Sequence, residues 1–430
     1  MPSGTRGDKK LHITFNEMGH GDNVLISLPN GKMLVIDCGS MRWDGNYWYP
    51  PRRPDVLRAN ALEIALKDQR FLLNNKEIDI LVLTHPDKDH CLELGSLFYP
   101  VGLDSEGKLF KPATQIKRAY YSEKFGTYGQ HGVTWTLWNN KHAKEIYSVT
   151  INQDQSRYGR VTNFGSSKTD LSYENITVSA PNKAEILEKS RVAATRDFVK
   201  ILDGTASGGA ECAVYLLASN VVVYDDLNDT EGSDSTNRGS IVTMIVYGDK
   251  KFLFMGDSTF TTERFLIETY GDLIKDVELV HVPHHGSYRT SSSFPGHPEP
   301  PNIAVNFVGH VNPRYAVITA AYDSGAALGL PRYEIIDRYH QGGRLLKKPQ
   351  GSTKEEKEEL EATLITWCYE KQTNTEVLKK DKYGKALKVL ITKEKKWHSY
   401  STPKHLWCTG SHGAIDFDYE HKGSGVVDRV

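Results

Sequence analysis

The stretch Ile80-Leu81-Val82-Leu83-Thr84-His85-Pro86-Asp87-Lys88-Asp89-His90 decides how this chain is read. Ile78 to Leu83 has the character of a short strand buried on both faces. At its end, four potential ligands follow within six residues: His85, Asp87, Asp89 and His90. Side chains alternate along an extended chain, so His85, Asp87 and Asp89 would point the same way. His90 would then turn in at the start of a helix expected to run through Leu92, Leu94 and Leu97. Converging nitrogen and oxygen donors suit a divalent metal, and the carboxylates supply compensating charge. A single His or Asp at such a place would read as a polar turn residue; four in this spacing read as a site.

Working outward, the pattern is that of alternating strands and helices, which implies α/β layers. Upstream, Leu11–Phe15, Asn23–Leu28 and Met33–Asp37 read as strands, with a hairpin signal at Pro29-Asn30-Gly31. Residues 55–73 read as a helix. Residues 100–175 have weak periodicity, and are expected to be an elaboration with some strands and a helix near 133–147. Ile176–Ala180 reads as a strand, 183–200 as a helix, and the polar stretch 225–240 as a loop. Ile241–Tyr247 and Lys251–Met255 form a hairpin over Gly248-Asp249, followed by a helix near 260–270. Val277–Val282 and Tyr315–Thr319 are further strands, and 332–341 a helix. The expected organisation is one domain over 11–345, with an insertion at about 100–236, and an appended region over 346–430.

Two more strand ends carry chemistry. Phe252-Leu253-Phe254-Met255-Gly256-Asp257-Ser258 ends an apolar strand on a carboxylate, which can bridge two metals about 3.5–4 Å apart. On its own, Gly-Asp after a strand is as often a turn or a helix cap. Glu278-Leu279-Val280-His281-Val282-Pro283-His284-His285-Gly286-Ser287 ends another strand on adjacent imidazoles. From an extended backbone the two cannot both face one site. One is therefore expected to be a ligand and the other to support it or touch substrate. The Gly286-Ser287 amides could hold a phosphate oxygen.

Bulk properties limit the alternatives. Lys and Arg number 53 against 54 Asp and Glu, so global charge points to neither nucleic acid nor membrane. Cys38, Cys91, Cys212, Cys368 and Cys408 show no paired spacing, as expected of reduced thiols rather than a disulfide framework or zinc ribbon. The N-terminus lacks a signal-peptide core, and the longest apolar stretch, near Ala213–Val223, is too short for a bilayer at ~20 residues. A soluble cytoplasmic protein is expected.

Taken together, these motifs resemble the metallo-β-lactamase superfamily, most closely the hydrolase domain of bacterial competence DNA-uptake proteins. That group has His-Pro-Asp-x-Asp-His where other members have His-x-His-x-Asp-His, and Asp87 matches the competence form. Met18-Gly19-His20-Gly21-Asp22-Asn23, Val35-Ile36-Asp37-Cys38-Gly39, Asn237-Arg238-Gly239-Ser240, Gly256-Asp257 and Pro283-His284-His285-Gly286-Ser287 follow in the expected order. The resemblance covers about 11–99 and 237–345. It implies a four-layer αβ/βα sandwich with a metal site at the sheet edges, and hydrolysis of an ester-type bond, with nucleic-acid phosphodiesters expected for this branch. The group's Tyr-Gly-His-Pro is here Leu328-Gly329-Leu330-Pro331, and Leu330 cannot ligate a metal. His310 or His340 are candidates to replace that histidine; in the insertion, His131 and His142 are weak candidates for a further ligand, since most lone histidines are surface polar groups.

The resulting assignment places two divalent ions, zinc or manganese, on His85, Asp87, Asp89, His90, Asp257 and His284, with the choice between His284 and His285 left open. Asp89, which could orient the attacking hydroxide, and His285 are the expected catalytic groups. Asp22, Ser240 and Ser287 are expected to support the ligands or touch substrate. In the tail, residues 379–396 hold eight lysines against two acids, and Tyr383, Trp397, Tyr400 and Trp407 lie in or just after this run. Lysines neutralise phosphates and aromatics stack on bases; a solvated strand pair through Ala386–Ile391 explains the same pattern equally well. Lys354–Glu359 reads as an exposed helix with i,i+4 charge pairs. The leading function is a phosphodiesterase or nuclease acting on nucleic acid. The alternatives are a hydrolase of small esters, lactones or cyclic nucleotides, and a metal-binding sensor or scaffold without turnover. Steep salt dependence of oligonucleotide binding would mark the nuclease.

Overall fold

In a computed structural model, the described residues are 4–40, 76–99, 112–122, 142–152, 199–222, 236–292, 306–320, 329–342 and 405–420, with shorter pieces within 62–71, 103–110 and 127–137, residue 224, and the backbones of the remaining strands named below. Most form two facing sheets. The first has the order β21-β20-β1-β2-β3-β4-β5-β6-β7-β8. Its strands are β1 (Leu11–Phe15), β2 (Val24–Ser27), β3 (Met33–Ile36), β4 (Lys76–Leu83), β5 (Ala113–Tyr121), β6 (Ala143–Ser148), β7 (Arg160–Asn163), β8 (Asn175–Thr177), β20 (Ile415–Tyr419) and β21 (Val426–Arg429). The second has the order β19-β14-β13-β12-β11-β10-β9. It contains β9 (Val199–Asp203), β10 (Cys212–Ala218), β11 (Val242–Tyr247), β12 (Lys250–Phe254), β13 (Leu279–His281), β14 (Tyr315–Ile318) and β19 (Leu406–Cys408). Two pairs complete the set: β15 (Thr363–Glu370) with β18 (Lys396–Pro403), and β16 (Asn374–Lys380) with β17 (Ala386–Thr392).

The layering follows from side-chain alternation. Val24, Ile26, Leu34, Ile36, Ile80 and Val82 face the second sheet in one core. Leu25, Val35 and Leu81 face outward and are covered by Leu62, Leu66 and Phe71. Strands clothed on both sides read as continuous apolar runs, which is why β4 does. Asp79 interrupts that run, but it accepts from the Met33 amide at 2.9 Å and the Lys117 ammonium at 2.7 Å. The second sheet is covered by α2 (Phe260–Tyr270), α3 (Phe307–Val311) and α4 (Tyr333–Gly342), whose Phe265, Leu266, Phe307, Val308, Ile335 and Ile336 join its core. The result is the expected four-layer α/β sandwich. Truncating a fully buried Leu such as Leu81 to Ala would cost about 2–5 kcal/mol.

Several expectations are corrected. Residues 143–148 are not the end of a helix. They form β6, parallel to β5, because Ile146 and Tyr147 point to opposite cores with period two. Both β5 and β6 continue the parallel run of β4, so Ala113–Tyr121 and Ala143–Ser148 belong to the main sheet. Nor does a boundary at 345/346 divide the sheets. β19 adds to β14 in parallel, and β20 pairs antiparallel with β1. The helix expected through Leu92–Leu97 is broken into one turn, α1 (Lys88–Cys91), and a 3-10 turn at Leu94–Leu97. The Asp89 carbonyl accepts from the Asp22 amide at 2.8 Å, and the Glu93 amide donates to the Cys38 carbonyl at 2.9 Å, so the i→i−4 bond between Asp89 and Glu93 is replaced. Of the helix expected at 183–200, Val199 and Lys200 instead begin β9, and the rest lies outside the described residues, as do the expected helix at 354–359, most of that at 55–73, and His131.

A buried charge network fastens β20 to β1. Arg70 reaches Asp68 at 2.8 Å and Asp416 at 3.0 Å, and Thr14 donates to Asp416. Beside it, His12 contacts Asp418 at 2.5 Å and Asp8 at 2.9 Å. Removing one member of such a buried pair costs about 3–5 kcal/mol, because its partner is left charged and unpaired. Cys38, Cys91, Cys212 and Cys408 are buried free thiols, as expected. No helix among the described residues is long and apolar enough to cross a membrane.

Candidate metal centre

Strand carboxyl ends from both sheets meet at one place, the usual position for a site in parallel α/β sheets. β3 delivers Asp37, β4 delivers Thr84 and His85, β12 delivers Asp257, β13 delivers His281 and then His284 and His285, and β14 delivers Thr319. Gly256 makes the sheet-to-sheet approach possible: at φ +52°, a Cβ there would lie 2.8 Å from the Thr84 Cβ. Such a backbone and such a contact both favour glycine.

Asp257 lies at the centre. Its Oδ2 is 3.7 Å from His85 Nε2 and 3.6 Å from His284 Nε2. Its Oδ1 is 3.2 Å from His90 Nε2 and 3.7 Å from His285 Nε2. The carboxylate is therefore divided between two pairs of imidazoles. Asp87 extends the first pair, 3.6 Å from His85 Nε2, with its side chain half exposed. Asp89 extends the second, 3.3 Å from His285 Nε2.

The expectation that His284 and His285 could not share a site does not hold. It assumed an extended backbone. Both residues are left-handed, at φ 51° each, within the turn Pro283–Gly286, and both rings turn toward Asp257. His285 is the more buried and the more firmly held, with Nδ1 2.5 Å from the Thr319 carbonyl oxygen and Nε2 aimed inward. His284 keeps a side-chain exposure of 21% and faces Asn237 at 3.5 Å.

Residues around these imidazoles orient them. Asp37 accepts from the Thr84 amide at 2.7 Å and the Thr84 hydroxyl at 2.6 Å, and contacts His90 Nδ1 at 2.8 Å. Ser240 Oγ accepts from the Asp257 amide at 3.1 Å and lies 3.3 Å from His85 Nδ1. Asp22 accepts from the Thr319 hydroxyl and lies 3.4 Å from His285 Nδ1 and 3.5 Å from His281 Nε2. Asp22 and Ser240 thus both contact imidazoles of the cluster. Ser287 is buried in the turn, its amide donating to the His284 carbonyl at 2.8 Å. Asp37, Thr84, His20, His281 and Thr319 were not singled out from sequence as site residues. Asp37 had a local signal, since it ends an apolar strand just before Cys38-Gly39; Thr319 also ends an apolar strand, 34 residues after His285.

His310 does not replace the missing histidine: its Nε2 bonds the Gly271 carbonyl at 2.8 Å. His142 stacks on Phe98 with ring centroids 4.2 Å apart. Neither they nor His340 join the His/Asp groups whose donor atoms converge among the described residues. Leu330 is buried, and the adjoining Pro331 packs on Gly286.

The donor set fits divalent cations. Nε2 of His85, His90 and His285 and Oδ1 of Asp257 are buried without a hydrogen-bond partner. Unpartnered buried atoms that gather at one point, as these do around Asp257, fit a bound cation. Burial would lower His90, but Asp257, Asp37 and Asp22 outweigh it and raise it well above its ordinary range. Burial is outweighed likewise at His285, which Asp257, Asp22 and Asp89 raise to about 9. Despite burial, the neighbouring imidazoles hold Asp89 and Asp257 well below the usual carboxylate range. A divalent cation held here would take the place of the protons on His90 and His285 and release them.

No protein-family model matches the chain. No curated protein matches it. Among solved structures, the chain is similar to the metallo-β-lactamase-fold protein YhfI from Bacillus subtilis, at 9% identity and TM-score 0.34, covering 78% of this chain and 94% of that one. It is similar to a diphosphatase from the PhnP family, at 11% identity and TM-score 0.33, covering 77% and 92%. A third similarity is to CmlA, a diiron β-hydroxylase from Streptomyces venezuelae, at 13% identity and TM-score 0.28; it covers 74% of this chain but only 46% of CmlA. At these scores no function follows from likeness, and the chemistry rests on the site itself.

Proposed function

We propose that this chain is a two-metal hydrolase of phosphodiesters, with nucleic acid as its substrate class. The observation that carries the proposal is the division of Asp257 between His85 and His284 on one oxygen and His90 and His285 on the other. One ion would be held by His85, His284, Asp87 and Asp257, the other by Asp89, His90, His285 and Asp257. This assigns both adjacent histidines as ligands, so that His285 serves as a ligand and not as a separate acid or base. Several donor pairs within these sets, 3.2–3.7 Å apart, match the edges of a coordination shell with bonds of ~2.0–2.2 Å. When bound, such ions bring the pKa of a water to near neutrality and polarise phosphoryl oxygens. Asp37 and Ser240 hold the His90 and His85 rings in orientation. Asp89, buried and ionised, can accept a hydrogen bond from the attacking water. Zinc and manganese both suit this mixed nitrogen and oxygen set.

The lysine-rich run 379–396 supports the choice of a polyanion. It concentrates positive charge in a chain whose net charge is −1. The test is hydrolysis of bis(p-nitrophenyl) phosphate and of a labelled oligonucleotide with added Mn²⁺ or Zn²⁺. Both should be cleaved, and both activities should vanish in Asp89→Ala and His90→Ala. Full activity in those variants would mean the site is misassigned.

A further inference from the structure

We infer that His20 is an additional ligand of the second ion, the one held by Asp89, His90 and His285; this rests on the two-metal proposal above. The loop carrying His20 is pressed into the site by three glycines. Gly19 has φ 75°. A Cβ on Gly21 would lie 2.5 Å from the Gly39 carbonyl oxygen, and one on Gly39 would lie 2.1 Å from the Asp89 carbonyl carbon. Backbone bonds fix the stack: the Asp22 amide donates to the Asp89 carbonyl at 2.8 Å, and the Gly39 amide to the Asp22 carbonyl at 2.9 Å. Larger residues would hold these three segments apart, and His20 would not reach Asp89.

As it stands, His20 Nε2 is 3.6 Å from Asp89 Oδ2, and His285 Nε2 is 3.3 Å from that same oxygen. The His20 and His285 ring centroids are 4.3 Å apart, with planes inclined by 48°. Donor atoms of all three residues fall within 4.8 Å of one another, and all three are buried. Two donors bound at ~2.1 Å lie about 3.0 Å apart at right angles and about 3.4 Å apart at tetrahedral angles, so the observed spacings suit one ion. They are too long for direct hydrogen bonds of normal length. Nδ1 of this buried ring has no hydrogen-bond partner, so no bond on that side fixes the ring, and Nε2 is the nitrogen that faces Asp89. The second ion would then have one more protein donor than the first.

The test compares the full chain with His20→Ala and His20→Gln. Each is loaded with Co²⁺ or Mn²⁺ and titrated against a competing chelator, and the visible absorption of bound Co²⁺ is recorded. Melting of the ion-free proteins verifies that each variant folds. Wild type should take up two ions. Both folded variants should bind one of them at least tenfold more weakly, His20→Ala the more so, with a changed Co²⁺ spectrum. Wild-type affinity at both positions and an unchanged spectrum in a folded variant would overturn the role of His20 alone. A wild-type chain that binds no ion would overturn the two-metal proposal as well, so the two failures are distinguishable.

Discussion

Asp37→Asn is the perturbation that tests most sharply how the His90 ring is held. The substitution keeps size and shape but turns one carboxylate oxygen into an NH₂ group. Asp37 Oδ1 accepts from the Thr84 amide at 2.7 Å, so an asparagine would keep its oxygen there. Its NH₂ would then face Thr84 Oγ1 and His90 Nδ1, now 2.6 and 2.8 Å from Asp37 Oδ2. His90 Nδ1 would have to accept, which places the ring proton on Nε2, the nitrogen facing Asp257. Binding an ion at Nε2 requires the opposite tautomer, with Nδ1–H opposed to an N–H. A hydrogen bond to a charged group is worth about 1.5–3 kcal/mol. At ~1.4 kcal/mol per decade, the ion on Asp89, His90 and His285 should bind about ten- to a hundredfold more weakly, in line with the usual effect of losing such a supporting carboxylate. Chelator competition reads this directly, and the ion on His85 and His284 is an internal control. Affinities at both positions within twofold of wild type would refute the reasoning.

Three further outcomes are expected. Gly256→Ala places a methyl 2.8 Å from the Thr84 Cβ on a backbone at φ +52°, and overpacking of this kind costs ~1–3 kcal/mol; the variant should melt earlier and bind metal less tightly, and unchanged behaviour would contradict the close approach of the sheets. His12 is raised above its ordinary pKa near 6.5, because Asp418 and Asp8 outweigh its burial, so the stability it gives is full below that value and lost as pH climbs through the raised one; wild type should lose more melting temperature between pH 6 and 9 than His12→Ala, and equal losses would exclude the linkage. Replacing Lys379, Lys380, Lys395 and Lys396 by Gln should weaken oligonucleotide binding and lower its salt slope by about 0.7–0.9 for each phosphate no longer neutralised, with hydrolysis of a small phosphodiester unchanged; an unchanged slope with lower solubility would make these lysines guards of a strand edge instead.

The candidate ligands at strand ends are legible in sequence because buried strands write themselves as apolar runs, and polar residues at their ends stand out. His85, Asp89, His90 and Asp257 are visible that way, and the α/β layering with them. The pairing of His284 with His285 is not, since two consecutive left-handed residues leave no mark in composition, and only the turn geometry shows that both rings converge. Asp37 and Thr319 hold His90 and His285 through contacts between residues 53 and 34 positions apart, which local patterns do not encode. The strand β6 reads as helix in the sequence because apolar residues on a partly exposed strand do not alternate cleanly; Ile146 and Tyr147 are adjacent, and each is buried against a different core. The C-terminal strands β19 and β20 escape a local reading for a related reason. Each is short, and its place in a sheet depends on neighbours about 90 and 400 residues earlier in the chain.

The measurement that bears most directly on the two-metal centre is metal content by elemental analysis. Wild type and Asp257→Ala would be loaded with Mn²⁺ or Zn²⁺ and dialysed exhaustively before analysis. Because Asp257 faces both imidazole pairs, the expected result is two ions per chain in wild type and the loss of at least one in the variant. A wild-type chain that retains no ion, or a variant that keeps both with undiminished affinity, would contradict the bridging role of Asp257 and the hydrolase built on it.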